Sequence, residues 1–138
     1  MALLRHLALR CRDLEQSRRF YETVIGWQFI GYRPHGDALD LSDGTNNITL
    51  IQQPSALSKR TPLDEGEEFI HFGVIVDELQ QIWLRLHEWG ASFSRENVKE
   101  RNPIDPTVLP PQSFKVLDPD GNVVDITSSR EEWRGVRW

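Results

Sequence analysis

The chain has 138 residues, a formal net charge of −5 and one cysteine, which fits a single domain (1–138) with a core of its own. One cysteine excludes an intrachain disulfide and a Cys-x-x-Cys metal site, and it is typical of a cytoplasmic protein. The mixed, mildly acidic charge argues against a nucleic-acid partner. No apolar run approaches the ~20 residues of a membrane span, so we expect no membrane partner.

The first predicted elements are a strand and a helix. The strand around His6 alternates apolar and polar residues and ends at Asp13, a typical helix N-cap with a glutamine three residues on. The helix carries apolar residues at helical spacing and ends at Gly26. Further on, DLSDGTNNITLI (Asp40–Ile51) is typical of a strand, an Asp-Gly turn and a strand. These patterns predict a βαβββ module over about 1–53.

The second half of the chain repeats this order. A strand around His71 leads to a predicted cap at Asp77, a helix that ends at Gly90, and a second hairpin, VLDPDGNVVDI. The two histidines are 65 positions apart. The two predicted caps are 64 positions apart, and so are the two glycines at which the predicted helices end. We therefore predict an α+β fold with a second βαβββ module at about 67–128, a linker at 54–66 and a tail at 129–138.

Side-chain alternation places three metal-ligating residues on strand faces turned away from the helices. These are His6 in the first strand, His71 in the first strand of the second module, and Asp125 in the last strand. They converge if the two sheets curl towards one another. Two imidazoles and one carboxylate are a sufficient ligand set for a first-row divalent metal and leave positions open for substrate and for water or oxygen. For each residue alone, a structural role in its strand or turn is the alternative.

The sequence resembles the vicinal oxygen chelate (VOC) superfamily, which includes glyoxalase I, fosfomycin- and bleomycin-resistance proteins, methylmalonyl-CoA epimerase and extradiol dioxygenases. The resemblance covers nearly the whole chain and is carried by RHLALRCRDLEQSRRFYETVIGWQF, IHFGVIVDEL and LDPDGNVVDI. It implies that the modules form a curved, cup-like mixed sheet around one divalent metal, with helices on the outside, usually in a homodimer. Whether one cup is built from one chain or from two is left open. Two residues depart from the family pattern: Asp125 stands where glutamate is usual, and Thr49 where glyoxalases and the epimerase place a fourth ligand.

Four functions are compatible with this ligand set. The first is a dioxygenase-like enzyme on a small organic substrate with a 2-His-1-carboxylate centre, which favours Fe²⁺ or Mn²⁺, although members that cleave rings are usually longer. The second is a glyoxalase- or epimerase-type lyase or isomerase with Ni²⁺ or Zn²⁺, against which the lack of a carboxylate at Thr49 counts. The third is addition to an antibiotic as in fosfomycin resistance, against which Ala8 counts, since such enzymes carry a threonine there. The fourth is metal-free sequestration of a drug. We rank the dioxygenase first, then the lyase or isomerase, then sequestration.

Four further residues are predicted as catalytic candidates. Arg10 shares the strand face of His6; a rim salt bridge is the favoured role, and contact with an anionic substrate group is the catalytic alternative. Tyr32 and His35 lie in GYRPHGD, where a strand runs into a turn; His35 is either an acid–base group or a solvated loop residue. Lys115 precedes the last hairpin and is a candidate cation beside the cup.

Two segments are predicted to cover the cup. Ser94–Gln112 contains four prolines, which disfavour a helix or a central strand. A long irregular loop of this kind is often a functional lid, and a surface excursion is the alternative. The tail EEWRGVRW carries Trp133 and Trp138, which we expect to lie over the cup or over a partner chain.

Overall fold

The computed structural model describes residues 2–54, 71–93 and 105–137. The chain divides into two compact units, Met1–Thr61 and Pro62–Trp138, and the boundary between them lies within the predicted linker. Each unit contains one open mixed sheet, so the predicted α+β class is confirmed. In the part of the chain described, no helix is both long and apolar enough to cross a membrane.

The first unit has the predicted order of strand, helix and three strands. Its elements are β1 (His6–Cys11), α1 (Leu14–Arg19), a π-helical segment (Phe20–Ile25), β2 (Gln28–Tyr32), β3 (Ala38–Ser42) and β4 (Asn47–Gln52). The sheet order is β1-β4-β3-β2, with β1 parallel to β4 and the other neighbours antiparallel.

The second unit repeats this arrangement over the residues that the structure describes. Its elements are β5 (His71–Ile75), α2 (Leu79–Trp89), β6 (Ser113–Leu117) and β7 (Val123–Thr127). The sheet order is β5-β7-β6, with β5 parallel to β7. The predicted counterpart of β2, and much of the predicted lid, fall on residues 94–104, which lie outside the described residues.

The helix ends test the predicted caps. Asp13 caps α1 as predicted, because its side chain accepts a hydrogen bond from the backbone N–H of Gln16. The predicted cap at Asp77 is wrong: the N-cap of α2 is Glu78, and its side chain makes no capping hydrogen bond. The helix starts one residue later because its first residue, Leu79, is buried, so packing rather than cap chemistry sets the start.

The cores lie on the helix side of each sheet. In the first unit Leu39, Leu41 and Leu50 are fully buried, as are Phe20 and Tyr21 of the π-helical segment. In the second unit the core combines aliphatic side chains with an aromatic cluster. The Trp83 ring of α2 lies 4.5 Å from that of Phe93 and 5.1 Å from that of Phe114 on β6, measured between centroids. The opposite face of each sheet carries the predicted polar residues.

Candidate metal centre

The strand registers place the two predicted histidine ligands at equivalent positions. The paired residues are His6–Asn47 and Ala8–Thr49 in β1 and β4, and His71–Val123 and Gly73–Asp125 in β5 and β7. Thr49 and Asp125 are therefore equivalent, each lying two residues beyond the partner of a histidine. The repeat read from the sequence predicts this correspondence.

The ring of His6 is oriented by Asn47. The Nδ1 atom of His6 lies 2.7 Å from the side-chain carbonyl oxygen of Asn47. An amide carbonyl oxygen can only accept a hydrogen bond, so Nδ1 of His6 is the donor of this bond. The same Asn47 oxygen lies 3.1 Å from the Thr49 hydroxyl oxygen. In this tautomer the lone pair on Nε2 is available to a metal.

Thr49 belongs to an ion-pair network on the same strand face. Its hydroxyl donates to Asp40 Oδ1 at 2.7 Å and accepts from Arg33 Nη2 at 2.9 Å. Arg33 also pairs with Asp40 at 3.0 Å, and chiefly this hydrogen bond lowers the pKa of Asp40 to about 2. The Thr49 side chain is buried, at 1% exposure. Thr49 therefore has a structural role where the family resemblance led us to look for a fourth ligand.

Sequence reasoning missed Asp40 and Asn47. Alternation along β3 and β4 is enough to place both on one face of the sheet. Alternation alone does not give the register between the strands, in which Asp40 pairs with Thr49 and His6 pairs with Asn47. When the register is unknown, Asp40 and Asn47 look like ordinary polar residues of a hairpin and its turn, and nothing links them to His6 or Thr49.

In the second unit, His71, Asp125 and Lys115 come together. His71 Nε2 lies 3.9 Å from Asp125 Oδ2, and Lys115 Nζ lies 4.0 Å from the same oxygen. Two neighbouring ligand atoms of one metal are roughly 3.4 Å apart at tetrahedral geometry and roughly 3.0 Å apart at octahedral geometry, so His71 and Asp125 need to approach by about half to one ångström to share an ion. The Asp125 side chain is 12% exposed, and Lys115 is its cross-strand neighbour in the register.

The donor set is compatible with a metal, although a complete cluster is not formed. His71 Nδ1 is buried and has no hydrogen-bond partner within the described residues, so this ring is not committed to a structural hydrogen bond there. Over the same residues, no group of three or more His, Cys, Asp or Glu side chains is arranged to hold a metal ion. The three-ligand set of His6, His71 and Asp125 therefore stays a prediction.

The other predicted catalytic residues are placed differently. Arg10 is exposed on β1, and His35 is exposed in the turn after β2. Tyr32 lies on the helix side of its sheet, where its hydroxyl donates to Glu15 of α1. This bond raises the pKa of Tyr32 and lowers that of Glu15.

A β-bulge in β2 explains the placement of Tyr32. The register shifts between Phe29 and Gly31, so that Phe29 pairs with Leu41 and Tyr32 pairs with Leu39. Both rings thus lie on the side of the buried leucines, with their centroids 5.4 Å apart. Gly31 has a φ of +155°, a conformation that glycine adopts without strain.

Comparisons with known proteins identify the family. The family model described as the Glyoxalase/Bleomycin resistance protein/Dioxygenase superfamily matches residues 3–126. Virulence protein STM3117 of Salmonella typhimurium is 31% identical over 127 residues, which cover 88% of this chain and 81% of that protein.

Two solved structures have the same fold. The trypanothione-dependent glyoxalase I of Leishmania major matches with a TM-score of 0.67 at 17% identity, over 92% of this chain and 86% of that one. The fosfomycin resistance protein FosX of Mesorhizobium loti matches with a TM-score of 0.66 at 15% identity, over 94% and 93% of the two chains. The chain belongs to the glyoxalase/bleomycin resistance protein/dioxygenase superfamily.

Proposed function

We propose that the chain is a divalent-metal enzyme that acts on a small organic substrate, with His6, His71 and Asp125 as the metal ligands. The observation that carries the proposal is the His6 ring, whose Nδ1 is held by Asn47 so that Nε2 is left for a metal. The 3.9 Å between His71 Nε2 and Asp125 Oδ2 supports these two residues as ligands of one ion. Membership of a superfamily that includes metal enzymes is consistent with this reading.

The environment of Thr49 favours dioxygenase-type chemistry, with Fe²⁺ or Mn²⁺ as the metal. A lyase or isomerase needs a group that moves a proton, and a carboxylate at position 49 would be suited to it. Here the hydroxyl of Thr49 is bonded to Asp40, whose pKa of about 2 makes it a weak base. When bound, the metal would hold two neighbouring substrate oxygens at its open positions and supply redox chemistry. The protein residues would orient the ligands and set the charge around them.

Metal analysis of protein purified without oxygen tests this proposal. We expect about one iron or manganese per set of three ligands, and we expect His6→Ala and His71→Ala each to abolish stoichiometric binding. Oxygen uptake with a panel of small vicinal diols and catechols then tests the reaction. A His6→Ala variant that binds metal as the unmodified protein does would overturn the site.

The lyase or isomerase alternative gives a different result in the same experiments. Such an enzyme would contain nickel or zinc, consume no oxygen and exchange a substrate C–H proton with deuterated solvent. A protein that binds no metal but retains a drug in the cup would indicate sequestration. The cytoplasmic location and the homodimer remain predictions, which fractionation and sedimentation would test.

A further inference from the structure

The C-terminal tail places an indole ring directly on strand β5. A Cβ atom built on Gly73 would lie 2.2 Å from Trp133 Cζ2 and 2.6 Å from Cη2, far inside van der Waals contact. The indole of Trp133 therefore occupies the space that a side chain at position 73 would need. Because glycine has no side chain, the indole can lie directly against the backbone of β5 at this position.

The indole lies on the strand face that carries the candidate ligands. Gly73 is two residues from His71 on β5, so the two positions share a face. In the parallel register Gly73 pairs with Asp125 on β7, and paired strands are only about 4.8 Å apart. The indole over Gly73 therefore lies on the strand next to Asp125, whereas Lys115 pairs with Asp125 on the other side.

Hydrogen bonds after β7 fix the start of the tail. The Thr127 hydroxyl donates to the Gln112 carbonyl at 3.1 Å and accepts from the Ser129 N–H at 3.0 Å. The Ser129 hydroxyl in turn accepts from the Glu131 N–H at 3.3 Å. Because Thr127 is fully buried, this turn is anchored in the sheet two residues before Ser129 and six before Trp133.

We propose that Trp133 forms a flat apolar wall of the substrate pocket and selects substrates that carry a planar aryl group beside their metal-chelating oxygens. The inference rests on the proposed function, since it takes Asp125 and His71 as ligands. The aryl ring of the substrate would stack on the indole, while the oxygens attached to that ring would coordinate the metal. Gly73 is the matching specificity residue, because any side chain there displaces the indole.

Two chelators that differ in their aryl group test this wall. Protein loaded with Co²⁺ is titrated with 4-nitrocatechol, followed by its visible absorbance, and with acetohydroxamate by competition. We expect Trp133→Ala to weaken the binding of 4-nitrocatechol by roughly 3- to 10-fold, which is the ratio of affinities that corresponds to the stacking of one aromatic pair. The affinity for acetohydroxamate should not change. Trp133→Phe should retain most of the affinity for 4-nitrocatechol.

Gly73→Ala and the double variant test the pairing of the two residues. Because the alanine displaces the indole, we expect Gly73→Ala to weaken 4-nitrocatechol binding as Trp133→Ala does, and the double variant to be no worse than either single variant. A Gly73→Ala variant that binds 4-nitrocatechol normally overturns the pairing. Val136→Ala, at an exposed position of the same tail, is the control and should bind both chelators normally.

The outcomes separate the wall from the metal site. A protein that binds no Co²⁺ overturns the proposed function. Normal Co²⁺ binding by Trp133→Ala, with both chelators bound as tightly as before or both weakened equally, overturns the wall alone. Tighter chelator binding by Trp133→Ala also overturns it, because the indole would then fill the pocket rather than line it.

Discussion

At the scale of single residues, the orientation of His6 depends on a neutral amide. The Asn47 carbonyl oxygen accepts the hydrogen bond from the ring and also lies 3.1 Å from the Thr49 hydroxyl oxygen. Because Thr49 also bonds Asp40, the Arg33–Asp40 pair is linked to His6 through Thr49 and Asn47. A residue such as Asn47 would tune the proposed metal ligand without touching the metal.

Replacing Asn47 with alanine tests this role. We expect the affinity for Co²⁺ to fall by about 10- to 100-fold, because the His6 ring loses the partner that sets its tautomer. Isothermal titration calorimetry measures the affinity, and Ile51→Ala on the same face of β4 is the control. Equal Co²⁺ affinities for the two variants would contradict the assignment.

The Arg33–Asp40 pair gives a testable pH dependence. The pKa of Asp40 in the folded protein is about 2, below its ordinary value of 3.8, chiefly because Arg33 donates a hydrogen bond to the carboxylate. Ionised Asp40 therefore stabilises the fold fully above pH 3.8, and this contribution is lost as the pH falls towards 2. The difference in the free energy of unfolding between the unmodified protein and Asp40→Asn should shrink from pH 5 to pH 2 in urea titrations. A difference that stays constant over this range would show that the pair does not stabilise the fold.

At the scale of the elements, the turn before β7 sets the register that brings Lys115 to Asp125. Asp118 Oδ1 accepts hydrogen bonds from the backbone N–H groups of Asp120 and Asn122 at 2.9 and 2.8 Å. The other carboxylate oxygen accepts from the Asn122 side chain at 2.8 Å. The DPDGN segment is therefore a structural turn in this chain.

Replacing Asp118 with alanine should destabilise the protein by roughly 1–3 kcal/mol, because three half-buried hydrogen bonds lose their acceptor. Asp118→Asn keeps one acceptor oxygen and should recover most of the loss. The midpoint of unfolding in urea measures both variants. If asparagine is as harmful as alanine, the charge rather than the acceptor geometry holds the turn.

Local sequence patterns predict the elements well, but not the long-range pairing that completes the site. Alternation, the Asp13 cap and the two Asp-Gly turns are local signals, and the strands and helices follow from them. The pairing of Asp40 with Thr49 and the packing of Trp133 on Gly73 depend on residues far apart in the chain. The bulge at Gly31 also reverses the side on which simple alternation from Phe29 would place Tyr32.

At the scale of the whole molecule, three of the described strands are paired on both sides. β4 lies between β1 and β3, β3 lies between β4 and β2, and β7 lies between β5 and β6. We expect the backbone amides of these three strands to exchange most slowly with solvent, because opening them breaks two ladders at once. Hydrogen–deuterium exchange measured by NMR tests this, with the edge strand β2 as the internal control. Faster exchange in β4 than in β2 would contradict the sheet order.

The parallel pairing of β1 with β4 has a consequence for the order of events during synthesis. His6 precedes its hydrogen-bond partner Asn47 by 41 positions, so it leaves the ribosome well before the strand that orients it. The same holds for His71, whose partner strand starts at Val123. At about 5–20 residues per second, each imidazole waits for seconds before the strand that pairs with its own strand has been synthesised. The proposed ligand set is therefore complete only after nearly the whole chain has been translated, which would make loading of the proposed metal a late step in the maturation of the protein.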